Sequence, residues 1–169
     1  MGAKYISTKI LSSKLDSLCE GLCVTDLRQL FDDLVRFETM LWNAIDARLL
    51  QECNVSLGSL NAMLVIDSTP SCRVQDIARA VAITVGGASQ AVDRLEAAGR
   101  CVRHPNPDDR RSSILELTPT GRELLETAGA IFDQELANYL GAPLSKNALG
   151  QLATALATAR DAATPVSDR

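Results

Sequence analysis

Four arginines crowd one short stretch of the chain: Arg100, Arg103, Arg110 and Arg111, interrupted by Asp108 and Asp109. The stretch carries +2 in a chain of net charge −4, which leaves −6 on everything else. A short basic segment on an acidic body suits a focused contact with an anion. The parts that catalysis needs are missing around it. The only histidine, His104, lies beside Pro105 with no nucleophile paired to it. Asp108 and Asp109 are neighbours in the chain and would not face each other across a substrate as an acid and base must. Gly86 and Gly87 fall within a helical pattern and lack the following lysine of a phosphate-cradling loop. Five cysteines (Cys19, Cys23, Cys53, Cys72 and Cys101) include no Cys-x-x-Cys pair, and with a single histidine they make no zinc set. Their odd number disfavours a disulfide framework, so reduced, mostly buried thiols are expected. The expectation is a protein that is not an enzyme and that holds no metal or cofactor.

The elements that must position the basic stretch can be read from apolar spacing. Residues 1–24 are weakly patterned, an appended segment with a short helix over Ser7 to Cys19. Thr25 can cap a long helix from Asp26, striped by Leu27, Leu30, Phe31, Leu34, Leu41, Ile45 and Leu49. Ser56 caps a shorter helix carrying Leu57, Leu60, Met63 and Leu64. Val74, Ile77, Ala78 and Val81 make another. After Ala82 and Ile83, Thr84 caps a third short helix over 84–98, with Val85, Ala88, Val92 and Leu95 inward and Gly99 ending it. The period then changes to two: Arg100–His104 and Ser113–Leu117 read as strands around a Pro105–Asp109 loop. Thr118 with Pro119 opens a second long helix through Leu124, Leu125, Ala128, Ile131, Phe132, Leu136 and Leu140, broken at Gly141, Ala142 and Pro143. Ser145 starts a last helix, and residues 164–169 read as a frayed tail.

Composition bounds the class. Hydrophobic residues make up 46 % of the 169, enough for one packed core. Aromatics are 4 %, too few for a surface that stacks single-stranded bases. No apolar run reaches the roughly 18 residues of a bilayer span, and Met1–Lys14 lacks the apolar centre of a secretory signal. A cytoplasmic protein with no membrane partner is expected.

The order of parts is that of a winged helix-turn-helix flanked by long helices: mainly α, with a small β-hairpin wing. The third short helix leaves Gly86, Gly87, Ser89, Gln90, Asp93 and Arg94 facing outward. Small residues near its start permit close approach, and Ser, Gln and Arg can bond base edges or phosphates in a major groove. An arginine-tipped hairpin suits the narrow, strongly negative minor groove.

Asn106-Pro107-Asp108-Asp109-Arg110-Arg111 followed by Leu115-Glu116-Leu117-Thr118-Pro119-Thr120-Gly121 resembles the wing signature of MarR-family transcriptional regulators. Val92-Asp93-Arg94-Leu95-Glu96-Ala97-Ala98-Gly99 resembles that family's recognition-helix ending, and the likeness runs from about Leu27 to Leu156. It implies a homodimer that binds a pseudo-palindromic operator on double-stranded DNA, as a repressor. Residues 25–54 and 119–163 would form the dimerisation region, and 55–118 the DNA-binding region, one intertwined domain. The DNA-binding set would be Thr84, Gly86, Gly87, Ser89, Gln90, Asp93, Arg94, Arg103, Asp109, Arg110 and Arg111, with Asp109 holding the groove-entering Arg111 and Arg110 on phosphate. The resemblance also implies relief by a small aromatic or phenolic ligand, for which Phe37, Trp42, Arg48 and Met63 are the candidate lining residues.

Two alternatives differ in kind. One is a thiol-based redox-sensing repressor. Cys19 and Cys23 could stand one helical turn apart but have Asp16 and Glu20 as neighbours, whereas Cys101 lies between Arg100 and Arg103. The other is a helical dimerising module whose basic wing binds an acidic protein partner.

Overall fold

The structure, a computed structural model, describes residues 26–107, 109 and 111–163. The expected helix over Ser7 to Cys19, the Thr25 cap and the tail lie outside these residues. The chain divides into two compact units, Met1–Met40 and Leu41–Arg169.

Helix α1 spans Leu27–Cys53 and so begins in the first unit and ends in the second. It opens one residue later than the sequence suggests, because Asp26 caps it: the Arg28 backbone N–H donates to Asp26 Oδ1 at 3.0 Å. Within the first unit the apolar stripe is uncovered, with Leu27, Leu30, Phe31 and Leu34 all exposed, Phe31 to 68 %. Val35, Phe37 and Met40 are exposed there too, and the charged side chains between them are tied locally, as in the Arg36–Asp32 ion pair at 2.7 Å.

The second unit holds the core. Ile45 and Leu49 from α1 are buried against α2 (Leu57–Ser68), α3 (Val74–Ala80), α4 (Val85–Ala97), the hairpin of β1 (Cys101–Pro105) and β2 (Ser113–Leu117), and α5 (Pro119–Leu136). The chain turns sharply after α1 at Asn54, whose φ is +49°. Ser56 then caps α2 as expected, accepting the Ser59 N–H at 3.2 Å. Leu57, Leu60 and Met63 are buried, whereas Leu64 is 38 % exposed. Because α2 is apolar on most of its circumference, spacing alone could not say which side faced out.

Helix α4 follows from its cap and its small residues. Thr84 accepts the Gly87 N–H at 3.1 Å. Ala88, Val92 and Leu95 face inward as their spacing requires, joined by Ala91. Val85, expected inward, is 53 % exposed because it stands at the first position, before the helix meets the core. Gly99 ends the element at φ +68°, the left-handed value for which glycine is suited.

The hairpin is antiparallel, with Cys101 opposite Leu117 and Arg103 opposite Leu115. Its outer strand is tied further, since Leu115 N–H donates to the Cys72 carbonyl at 2.8 Å. Cys72 and Cys101 are buried free thiols, in line with the expectation of thiols in the core.

Thr118 caps α5 with Pro119 at its start, as expected. Gly121 serves a close approach there, because a Cβ on it would lie 2.0 Å from the Arg100 carbonyl oxygen. The regular helix stops at Leu136. Leu140 lies in a wide π turn over Ala137–Gly141, shortly before Pro143, which has no N–H to extend the ladder. Helix α6 (Lys146–Ala163) is capped by Ser145 and has no buried residue. Among the described residues, no single helix is long and apolar enough to cross a membrane.

Candidate nucleic-acid interface

The outward side of α4 combines small and hydrogen-bonding residues at its N-terminal end. Gly86 and Gln90 are exposed, Gly87 and Ser89 half-buried. Backbone N–H groups at a helix start carry partial positive charge and favour an anion nearby. Beside this end a cleft of about 330 Å³ is lined by Arg73, Gln75, Val85, Ser89, Arg103 and Arg111, among others. The start of α3, the start of α4 and the wing therefore share one surface, with cationic and amide side chains around it. Sequence reading missed Arg73 and Gln75. The signal was present, since in a helix-turn-helix the first helix also approaches the backbone, but nothing in their spacing set them apart from an ordinary polar helix start. Arg73 is also engaged locally, its N–H and Nε donating to Asp76 Oδ2 at 2.9 and 3.3 Å.

The four arginines of the basic stretch have different fates. Both Nη atoms of Arg100 donate to the Asn54 carbonyl, each at 3.1 Å. Arg103 reaches back across α4, with Nη2 donating to Asp93 Oδ1 at 2.6 Å and Nη1 pairing with Glu96. The hydrogen bond to Asp93 is the largest cause that raises the Arg103 pKa, so this guanidinium stays charged. Asp93 and Arg103, both expected to meet DNA, are ion-paired with each other, and Arg103 also lines the cleft. Arg94 is exposed farther along α4, on the wall of a separate pocket. Arg111 is exposed and lines the cleft. Arg110 and Asp108 lie outside the described residues.

Asp109 does act on Arg111, but through the backbone. Its Oδ1 takes the Arg111 N–H at 3.0 Å, and no contact to the guanidinium occurs among the described residues. The loop is closed by the first residue of the wing motif: Asn106 is buried and donates from Nδ2 to Ser112 Oγ at 2.9 Å. Ser112 N–H in turn donates to the Asp109 carbonyl at 3.0 Å. His104 is exposed, with Nε2 3.4 Å from Glu116 Oε2.

The four candidate ligand residues find varied settings. Met63 is wholly buried in the core and Trp42 is exposed. Phe37, in the first unit, is exposed. Arg48 is committed to the protein itself: Nε donates to Glu52 Oε1 at 2.7 Å, Nη2 to Gln134 Oε1 at 2.9 Å, and Nη1 pairs with the buried Glu135. Hydrogen bonds to Glu52 and then Glu135 raise its pKa. It is a tether between α1 and α5.

Burial pushes the Cys72 thiol up to about 11 and raises Cys101 as well. Arg103 pulls Cys101 the other way but does not prevail over burial and Glu96. Thiolate chemistry at Cys101, which the flanking arginines suggested, is therefore disfavoured. Cys19 and Cys23 lie outside the described residues.

Residues 55–113 match a family model described as MarR family. Among curated proteins, none matches the sequence. The chain is similar in structure to Sco3205, a MarR family transcriptional regulator from Streptomyces coelicolor solved in complex with DNA. The TM-score is 0.78 at 19 % identity, covering 87 % of this chain and 97 % of that one. It is similar to the transcriptional repressor CouR bound to a 23-mer DNA duplex, with TM-score 0.72 at 26 % identity, covering 82 % and 98 %. A third similar structure is BpsR from Bordetella bronchiseptica, whose DNA binding is regulated by 6-hydroxynicotinic acid. There the TM-score is 0.70 at 21 % identity, covering 78 % and 98 %. The matched segment holds α2 to α4, β1 and the loop, and it includes every residue that lines the cleft. Residues 55–113 thus match the MarR family model, and the chain around them has the fold of winged-helix structures of that family.

Proposed function

We propose that the protein is a homodimeric repressor that reads a pseudo-palindromic operator, with α4 in the major groove and the wing loop in the minor groove. The observation that carries this is that Val85 and Ser89 from the start of α4 and Arg111 of the wing line one cleft, while Gly86 and Gln90 are exposed on the same end of α4. Ser89 and Gln90 supply donors and acceptors for base edges. Arg111, with its backbone fixed by Asp109, supplies the minor-groove cation, and Arg110 a phosphate contact. In this reading residues 55–118 bind DNA, while 25–54 and 119–163 pair with a second copy. The apolar face of α1 in the first unit and α6, which has no fully buried residue, are surfaces that a second copy would cover. Two recognition helices would then meet successive major grooves about one DNA turn apart. Relief by a small aromatic acid belongs to the same reading, supported by the regulation of BpsR by 6-hydroxynicotinic acid.

The test is fluorescence anisotropy on an operator duplex with Arg111→Ala. A weakening of about 1–3 kcal/mol is expected for one lost groove contact. Unchanged affinity would remove the wing from the mechanism.

A further inference from the structure

Arg100 belongs to the basic stretch by sequence, yet each of its polar handles goes to a different element of the protein. Its backbone N–H donates to the Leu95 carbonyl at 2.8 Å, closing the C-terminal end of α4 together with the Gly99 N–H on Glu96. Its carbonyl accepts the Thr118 N–H at 3.1 Å and is pressed by the first turn of α5, where only a glycine at 121 leaves room for it. The side-chain oxygens of Thr118 and Thr120 both donate to the adjoining Gly99 carbonyl, at 2.8 and 3.2 Å. Its guanidinium holds the Asn54 carbonyl with both Nη atoms, at the left-handed residue where the chain leaves α1. The end of α1, the end of α4 and the start of α5 are therefore joined at one residue.

We propose that Arg100 is a positioning residue for DNA recognition: it sets the orientation of α4 against the ends of α1 and α5 without touching DNA. This rests on the DNA-binding reading given above. Helix α4 has 13 residues, so Arg100 stands about 20 Å along its axis from the Gly86–Gln90 end. It borders a separate pocket of about 240 Å³ with Leu50, Asn54, Ser59 and Arg94, not the cleft beside the wing. Base-edge hydrogen bonds lose strength steeply with misalignment, whereas phosphate contacts by flexible cations tolerate it. Loosening this joint should therefore cost sequence preference more than general affinity for DNA.

The experiment compares wild type, Arg100→Met and Arg100→Lys by anisotropy on an operator duplex and a random duplex over a salt series. Met keeps the length and both backbone handles but removes the guanidinium. Lys keeps one charged donor for Asn54. Arg100→Met is expected to bind the operator about 5- to 30-fold more weakly and the random duplex less than 3-fold more weakly, with an unchanged salt slope. Arg100→Lys should recover part of the preference. Equal losses on both duplexes with a shallower salt slope would make Arg100 a phosphate contact and overturn the proposal. A lowered melting temperature with operator preference intact would make it merely structural and also overturn it. Should Arg100→Met fail to fold, Arg100→Lys decides alone: preference equal to wild type with a single donor left overturns the two-bond clamp, and an intermediate loss supports it. Wild type that binds both duplexes without preference would instead defeat the DNA-reading function on which the proposal rests.

Discussion

At the scale of single residues, charge in the sequence and charge available to a partner are different quantities. Arg100 and Arg103 were counted toward a basic patch, but their guanidiniums are bound to the Asn54 carbonyl and to Asp93 and Glu96. Their partners lie 46, 10 and 7 residues away on other elements, separations at which no local pattern signals a contact. Arg111 remains on the surface, with its backbone fixed by Asp109. The cysteines were better read: a strand position facing the core gave Cys101, and burial explains its raised pKa. The consequence is chemical inertness. Iodoacetamide at pH 7.5, followed by peptide mapping, is expected to leave Cys72 and Cys101 unlabelled in the folded protein and to label both after denaturation. Rapid labelling of native Cys101 would reopen it as a redox site. The sign for Cys72 is also fixed: a thiol raised from 9.0 to about 11 stabilises the fold fully below pH 9 and loses that contribution as the pH rises toward 11.

Among the elements, caps and breakers were the most legible signals. Ser56, Thr84 and Thr118 each accept a backbone N–H three residues on, at the helix starts read from the sequence. Gly99 ends α4 where expected. Each of these effects acts within a turn or two of chain, which is why sequence alone exposes it. What stayed hidden depends on packing between distant segments: the exposed Val85, the hydrogen bond from β2 to Cys72, and the role of Gly121. Gly121 reads as part of a motif, yet the reason for it is the Arg100 carbonyl against the first turn of α5. Gly121→Ala is expected to lower unfolding free energy by about 1–3 kcal/mol, as overpacking does, measured by urea denaturation. A stability within 0.3 kcal/mol of wild type would mean that the turn relaxes freely.

At the scale of the whole molecule, each of the two units leaves apolar side chains uncovered. Leu27, Leu30, Phe31 and Leu34 are exposed together along α1, and no residue of α6 is fully buried. Exposed apolar surface of this kind marks an interaction site, and the stripe was readable because a 3.6-residue period needs no tertiary information. Sedimentation is expected to give a dimer that Leu30→Glu combined with Phe31→Glu converts to monomer. A persistent dimer in that variant would place the interface elsewhere. The central claim, that the cleft between α4 and the wing reads double-stranded DNA, is met most directly by selecting bound duplexes from a random pool with the full-length protein. Recovered sites with two-fold symmetry and half-sites about one helical turn apart are expected. Recovery of no shared sequence, or of a site without symmetry, would contradict it.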